Sequence, residues 1–208
     1  MERTQGIIIR TADYREKDRL LVLFTPCGIE TVTARGVRSA DSKLKSGAVV
    51  MTFGEFTFGG RGNKRVLTGA DVTDNFFSAW TDIKKISAAM TCFELTEKCF
   101  GKDDETAEEF VFLLKIIKEL VYGQSEPVCQ ALRYAVFCAR KVGVDYSEIA
   151  GYDEKAYELI ETFGKVDAED VGTLPFTVES VSHALTLVAN VFANYLGVRL
   201  STLRATLK

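Results

Sequence analysis

The chain has 208 residues, of which 47% are hydrophobic and 26% charged, and a formal net charge of -3. That length can bury a real core in one or two domains, and that balance excludes a disordered or low-complexity chain. No run of about 18 uncharged apolar residues occurs, so no membrane span is expected, and the short "III" of "MERTQGIIIRTADY" is too brief for a signal peptide. The charge is unevenly spread. Residues 1–72 hold twelve Lys and Arg against eight Asp and Glu, a balance of +4, which leaves -7 for the rest. An uneven distribution of this kind lets a slightly acidic protein carry a basic module for an anionic partner.

The first 75 residues read as strands. "GIIIRTADY" and "RLLVLFTP" are rich in β-branched and aromatic residues, and "CG" marks a turn after the second. "GIETVTARG" alternates Ile29, Thr31 and Thr33 against Glu30, Val32 and Ala34. "AVVMTFGEFTFGG" and "NKRVLTGADV" read as a hairpin around "GGRGN". Five short strands in this length fit a small closed barrel with no long free edge. On the fourth strand, Phe56 and Phe58 share one face and Phe53 shares the other with Glu55, unless Gly54 makes a bulge. An aromatic on the outer face would be able to stack a base.

From about residue 78 the period becomes helical. "SAWTDIKKISAAMTCFELTEKCF" places Trp80, Ile83, Ile86 or Ser87, Met90, Phe93 and Glu94 or Glu97 at three-to-four spacing. "DDETAEEFVFLLKIIKELVYG" starts on an acidic turn and stops at Gly123. "SEPVCQALRYAVFCARKVG" carries proline in its first turn and ends at Gly143. In it Val128, Leu132, Ala135, Ala139 and Val142 form the expected core stripe. A shorter helix over "DEKAYELIETFG" and a longer one over "VESVSHALTLVANVFANYL" come next. The expected division is a barrel over residues 1–76 and helices over 77–208, an α+β chain.

No catalytic constellation stands out. "GGRGN" opens no helix and so is no P-loop, and the lone His183 has no identifiable orienting partner. The cysteines Cys27, Cys92, Cys99, Cys129 and Cys138 contain no C-x-x-C pair, and Cys92 and Cys99 read as core thiols on one helical face. No metal, no cofactor and no enzymatic activity are expected, and free thiols without a signal suggest the cytoplasm. What remains is basic. "ARGVRSADSKLKSG" and "RGNKR" supply Arg35, Arg38, Lys43, Lys45, Arg61, Lys64 and Arg65. If two loops at one end of a barrel bring these together, they would meet phosphates.

The segment "GIIIRTADYREKDRLLVLFTPCGIETVTARGVRSADSKLKSG" resembles the N-terminal signature of the RecO family of bacterial recombination mediators. Its marks are Arg10, Asp13-Tyr14, Glu16, Asp18, Leu20, Phe24-Thr25, Arg35-Gly36, Arg38 and Ser42-Lys43-Leu44. The turn "TPCGIE" is one residue shorter before its glycine than in many members. Later, "QALRYAVFCARKVGV" resembles a family helix, with Arg133 on its arginine, and "YLGVRLSTLR" resembles the family's closing segment. The resemblance implies an OB-fold barrel followed by an all-helical domain. The family's four-cysteine zinc module is absent, since no cysteine lies beyond Cys138.

The function implied is non-catalytic: binding single- and double-stranded DNA, annealing strands, and loading RecA with RecR onto DNA coated by single-stranded-DNA-binding protein (SSB). The resemblance also implies a nucleoid-associated protein, expected to be monomeric on its own. In the family the helical domain receives the acidic, phenylalanine-ended SSB tail. Arg133, Phe137, Arg140 and Lys141 share a helix face that offers an aromatic and cations for that tail. The competing reading is an adaptor whose helical domain binds a partner protein while the barrel binds little DNA.

Overall fold

The computed structural model describes residues 2–60, 65–197 and 199–207. Five strands close into a barrel: β1 (Glu2–Tyr14), β2 (Asp18–Thr25), β3 (Gly28–Ala34), β4 (Phe53–Gly59) and β5 (Val66–Asp74). Their order is β1-β2-β3-β5-β4, and β4 pairs back onto β1. Every pairing is antiparallel except β3 with β5. This is the OB-fold arrangement.

Closure depends on β1. Its first half pairs with β4, from Glu2 to Ile7, and its second half pairs with β2, from Ile7 to Tyr14. Between Ile8 and Arg10 the register shifts. A bulge of this kind bends one long strand so that it serves both neighbours. The segment expected to lengthen β4 satisfies the backbone freed there: Met51 N donates to Ile8 O at 2.8 Å and Ile8 N to Thr52 O at 2.9 Å. The fourth strand therefore starts at Phe53 and not at Ala48. Gly54 is required where β4 crosses β5, because any Cβ there would collide with the Asp71 carbonyl.

The barrel core is Ile8, Leu21, Leu23, Val32, Ala34, Phe56, Phe58 and Leu67, with Val37 and Ala48 from the β3–β4 connection. Phe56 and Phe58 share one face, as expected, and that face is the buried one. Phe53 is no outer-face base platform: its ring packs on Phe110 at 6.3 Å.

The described residues form two compact units, and the division does not run along the chain in one cut. The barrel unit extends to Phe77 and takes in Phe100–Val111; the helical unit is Ser78–Cys99 with the chain from Phe112 onward. Thr106 explains the return. Its hydroxyl donates to Thr25 O at 2.8 Å and accepts from Gly28 N at 2.8 Å. Phe100 stacks on Phe24 at 5.5 Å, and Ile29 N donates to Gly101 O at 2.8 Å.

The helices are α1 (Ile83–Cys99), α2 (Ala107–Tyr122), α3 (Pro127–Lys141), α4 (Glu154–Phe163), α5 (Val178–Leu196) and the short α6 (Leu203–Thr206). Asp82 Oδ1 accepts from Lys84 N at 2.9 Å and so fixes the start of α1. Asp153 and Thr177 cap α4 and α5 through Ala156 N and Ser180 N. Because α1 starts at Ile83, Trp80 lies in a preceding 3-10 turn, Phe77–Thr81, out of phase with the helix. Trp80 and Ile83 are exposed, at 40% and 74%, so the helical spacing that starts at Trp80 does not mark a buried face there. The buried face runs through Ala88, Ala89, Cys92, Phe93, Leu95 and Thr96 instead.

Helix α3 is the centre of its unit. It is buried around almost its whole circumference, with Val128, Leu132, Ala135 and Ala139 in the core as expected. Among the described residues no helix is long and apolar enough to cross a membrane.

Candidate nucleic-acid interface

The β2–β3 face of the barrel carries a cleft of about 380 Å³. Its floor is Leu20, Thr33 and Val66; Tyr14, Arg15 and Asp18 come from the end of β1, the turn after it and the start of β2, and Arg35 and Arg65 lie at the rim. OB-folds take oligonucleotides and oligosaccharides on this face, between the loops after β1 and after β4.

Two loops are pinned together at the rim. Asp18 Oδ1 accepts from Gly36 N at 2.8 Å, where Gly36 holds a left-handed φ of 63°. Arg38 N donates to Lys17 O at 3.0 Å. The Arg38 guanidinium donates to Glu16 O at 3.2 Å and lies 3.2 Å from Asp13 Oδ2. On the other side, Thr33 N donates to Arg65 O at 3.0 Å, and Arg65 bridges Glu30 at 3.2 Å and Glu2 at 3.1 Å.

These contacts sort the seven basic residues singled out in the sequence. Arg38 and Arg65 are neutralised by acids and hold the rim. Arg35, Lys43 and Lys45 are exposed and have no ion pair among the described residues. Arg61 and Lys64 lie outside the described residues. The structure adds residues that sequence reasoning passed over: Tyr14, Arg15 and Lys17. Arg15 takes a left-handed φ of 56° and sets its guanidinium 5.1 Å from the centre of the Tyr14 ring. Neither Arg15 nor Lys17 has an ionic partner among the described residues. The signal was available, since "DYREKD" is the β1–β2 connection of an OB barrel, but its mixed charge hides which of its cations are free.

On α3, the four residues of the second candidate face are differently placed. Arg133 is buried, its Nε donates to Val166 O at 2.6 Å, and its guanidinium lies 4.6 Å over the Phe112 ring. Burial and the neighbouring Arg140 charge pull Arg133 below the ordinary arginine range. Arg140 donates to Tyr146 Oη at 2.9 Å and Gly164 O at 2.6 Å, and pairs with Glu161 at 3.0 Å. Phe137 is half-buried and stacks on Phe112 with ring centres 4.2 Å apart. Lys141 Nζ lies 5.5 Å from the Phe137 ring centre. So Phe137 and Lys141 face outward while Arg133 and Arg140 tie α3 to the segment just after α4.

Other chemistry is structural in character. His183 does have an orienting partner, contrary to the sequence expectation: its Nε2 lies 2.7 Å from Asp153 Oδ2. That contact, with the Ala156 amide, holds the Asp153 carboxyl below its ordinary value. All five cysteines are free. Burial, helped by the Glu126 charge, pushes the Cys129 thiol up to about 12, and burial raises Cys92 as well. Among the described residues no group of three His, Cys, Asp or Glu is placed to hold a metal ion.

A closed barrel in the β1-β2-β3-β5-β4 order, with a cation-rimmed cleft and a helical second unit, sets the chain in the OB-fold class. Residues 1–76 match the family model described as Recombination protein O N terminal. The chain is 32% identical over 121 residues to the DNA repair protein RecO of Roseiflexus sp. (strain RS-1), covering 58% of this chain and 43% of that one. It is 30% identical over 124 residues to the DNA repair protein RecO of Listeria monocytogenes serotype 4b, covering 59% and 49%. With the DNA repair protein RecO of Clostridium perfringens the identity is 29% over 163 residues, covering 67% and 63%. Over its first 76 residues the chain is thus similar to the N-terminal part of RecO proteins. It spans about half the length of the Roseiflexus and Listeria relatives.

Proposed function

We propose that the chain is a non-catalytic DNA-binding recombination mediator. The observation that carries this reading is the set of unpaired cations at the cleft on the β2–β3 face. Arg15 and Arg35 line it, and Lys17, Lys43 and Lys45 are exposed on the two connections that rim it. Cations held free of acids release counterions when they meet phosphates, and contacts of that kind carry no base sequence. The substrate is single- and double-stranded DNA. Strand annealing and RecA loading together with RecR onto SSB-coated DNA are the activities that the similarity to RecO proteins suggests.

The test is a salt titration of binding to labelled duplex DNA. The slope of log K against log salt is expected to be steep, and to shallow by about 0.9 for each phosphate contact removed. Scrambling the sequence of the DNA is expected to leave affinity unchanged. Binding that is absent, or indifferent to salt, overturns the reading.

For the helical unit we propose that Phe137 and Lys141 receive the acidic, phenylalanine-ended SSB tail. An aromatic pair flanked by Arg133 and Lys141 supports this. Arg133 and Arg140 then act by holding the face as well as by their charge. The adaptor reading rests on the same face, and differs only in leaving the barrel without DNA.

A further inference from the structure

We infer that Tyr14 is a stacking platform for an unpaired base, which makes the barrel cleft selective for single-stranded over duplex DNA. The inference rests on the DNA-binding reading and deepens it. Phosphate contacts alone do not distinguish strands well, because both forms present them; an exposed base face does, because duplex bases are already stacked on one another.

Tyr14 has the required setting. It ends β1, lines the cleft and keeps 39% of its surface exposed. The next residue holds its ring: the left-handed backbone of Arg15 returns that guanidinium over the ring at 5.1 Å. A cation on one ring face fixes the ring's orientation and strengthens the platform. The connection itself is rigid, because Arg38 takes the carbonyls of Arg15 and Glu16 and pairs with Asp13. Leu20, Thr33 and Val66 line the cleft between its charged residues, and the cleft's 380 Å³ admits one base with room for water. Arg35 on the opposite rim is free to meet the adjoining phosphate. Phe53 packs on Phe110, so Tyr14 is the aromatic ring that lines this cleft.

The test uses the full chain with three ligands of equal length: a single strand of thymidines, the same strand with abasic sites, and a duplex. Tyr14→Ala is expected to weaken binding to the thymidine strand about tenfold or more. Duplex affinity and the salt slope are expected to stay within twofold of wild type. Wild type is expected to bind the abasic strand about as weakly as Tyr14→Ala binds the thymidine strand, and Tyr14→Ala to be indifferent to base removal. Tyr14→Phe, which keeps the ring, should bind as wild type. Equal weakening on all three ligands, or no weakening on any, overturns the inference while leaving DNA binding intact. Failure of wild type to bind any of the three overturns the functional reading, and this inference with it.

Discussion

Asp13 and Arg38 face each other at 3.2 Å across the two connections that rim the cleft. The same Asp13 carboxylate also lies 3.4 Å from Arg19. Two of the barrel's arginines thus share one acid, and the cations left wholly unpaired for a ligand are fewer than the sequence count suggests. Arg38→Ala removes the pair with Asp13 and two bonds to carbonyls on the neighbouring loop. It is expected to cost about 1 kcal/mol of stability, the partly exposed pair adding little. Arg35→Ala, with no ion pair to lose among the described residues, should leave stability within about 0.5 kcal/mol and shallow the duplex salt slope by about 0.9. Urea unfolding beside salt titration of both variants reads the difference. A triple Arg35/Lys43/Lys45 alanine variant that binds DNA as wild type does would move the interface elsewhere.

Arg65 is a second case of a basic residue held in a structural role. Glu30, whose side chain is 11% exposed, and Glu2 both meet its guanidinium. Glu30→Ala leaves the half-buried Arg65 with one exposed acid, and an expected cost of about 1–3 kcal/mol. A double-mutant cycle with Arg65→Ala should return a coupling of about 0.5 kcal/mol or more. Single variants whose effects simply add would make this pair a bystander.

Much of the barrel was legible because its signals are local. β-branched alternation marked β1 to β3, and the shared face of Phe56 and Phe58 came from strand period alone. The change to helices near residue 78 was equally plain. What escaped was non-local. Nothing in "GKDDETAEE" announces that Thr106 satisfies Gly28 and Thr25, so the return of Phe100–Val111 to the barrel was invisible. The start of α1 was not legible either, because Asp82 begins the helix after Trp80, which lies in a separate 3-10 turn. At the site, charge density was legible and pairing was not: Arg35 and Arg38 look alike in "ARGVR", and only the fold brings Asp13 to one of them. Several of the residues that carry the family resemblance, Asp13, Asp18, Gly36 and Arg38, are those that pin the two rim connections together.

The α3 face separates in the same way. Arg133→Ala removes a buried guanidinium from Phe112 and leaves the Val166 carbonyl unpaired, with an expected cost of about 1–3 kcal/mol. Phe137→Ala and Lys141→Glu act on the outward side. Both are expected to weaken a labelled acidic peptide ending in phenylalanine several-fold while DNA affinity stays unchanged. Fluorescence anisotropy with that peptide is the measurement. Peptide affinity that responds to Arg133 and Arg140 variants only in proportion to lost folding would confine those two residues to a positioning role.

The closing segment of the chain is held by one carboxylate. Glu94 on α1 accepts from the amide and hydroxyl of Ser201 at 2.9 Å each, and from those of Thr202 at 2.9 and 2.7 Å. Thr91 adds hydroxyl contacts to Thr202 at 2.9 Å and Thr206 at 2.8 Å. Burial pushes the Glu94 carboxyl up, but the four donors together outweigh it and hold it below its ordinary value. A carboxyl depressed in the folded state contributes stability that is fully present above its unfolded pKa of about 4.3 and is lost as pH falls through the folded value. Docking of residues 199–207 is therefore expected to be intact at neutral pH and to weaken only in acid. Glu94→Gln keeps the shape but loses the charge and one acceptor. It should expose the Ser201 and Thr202 amides to hydrogen exchange already at pH 7, and remove the acid dependence that wild type shows at those two amides. Protection in Glu94→Gln equal to wild type at both pH values would mean that packing of α6, and not this carboxylate, holds the segment in place.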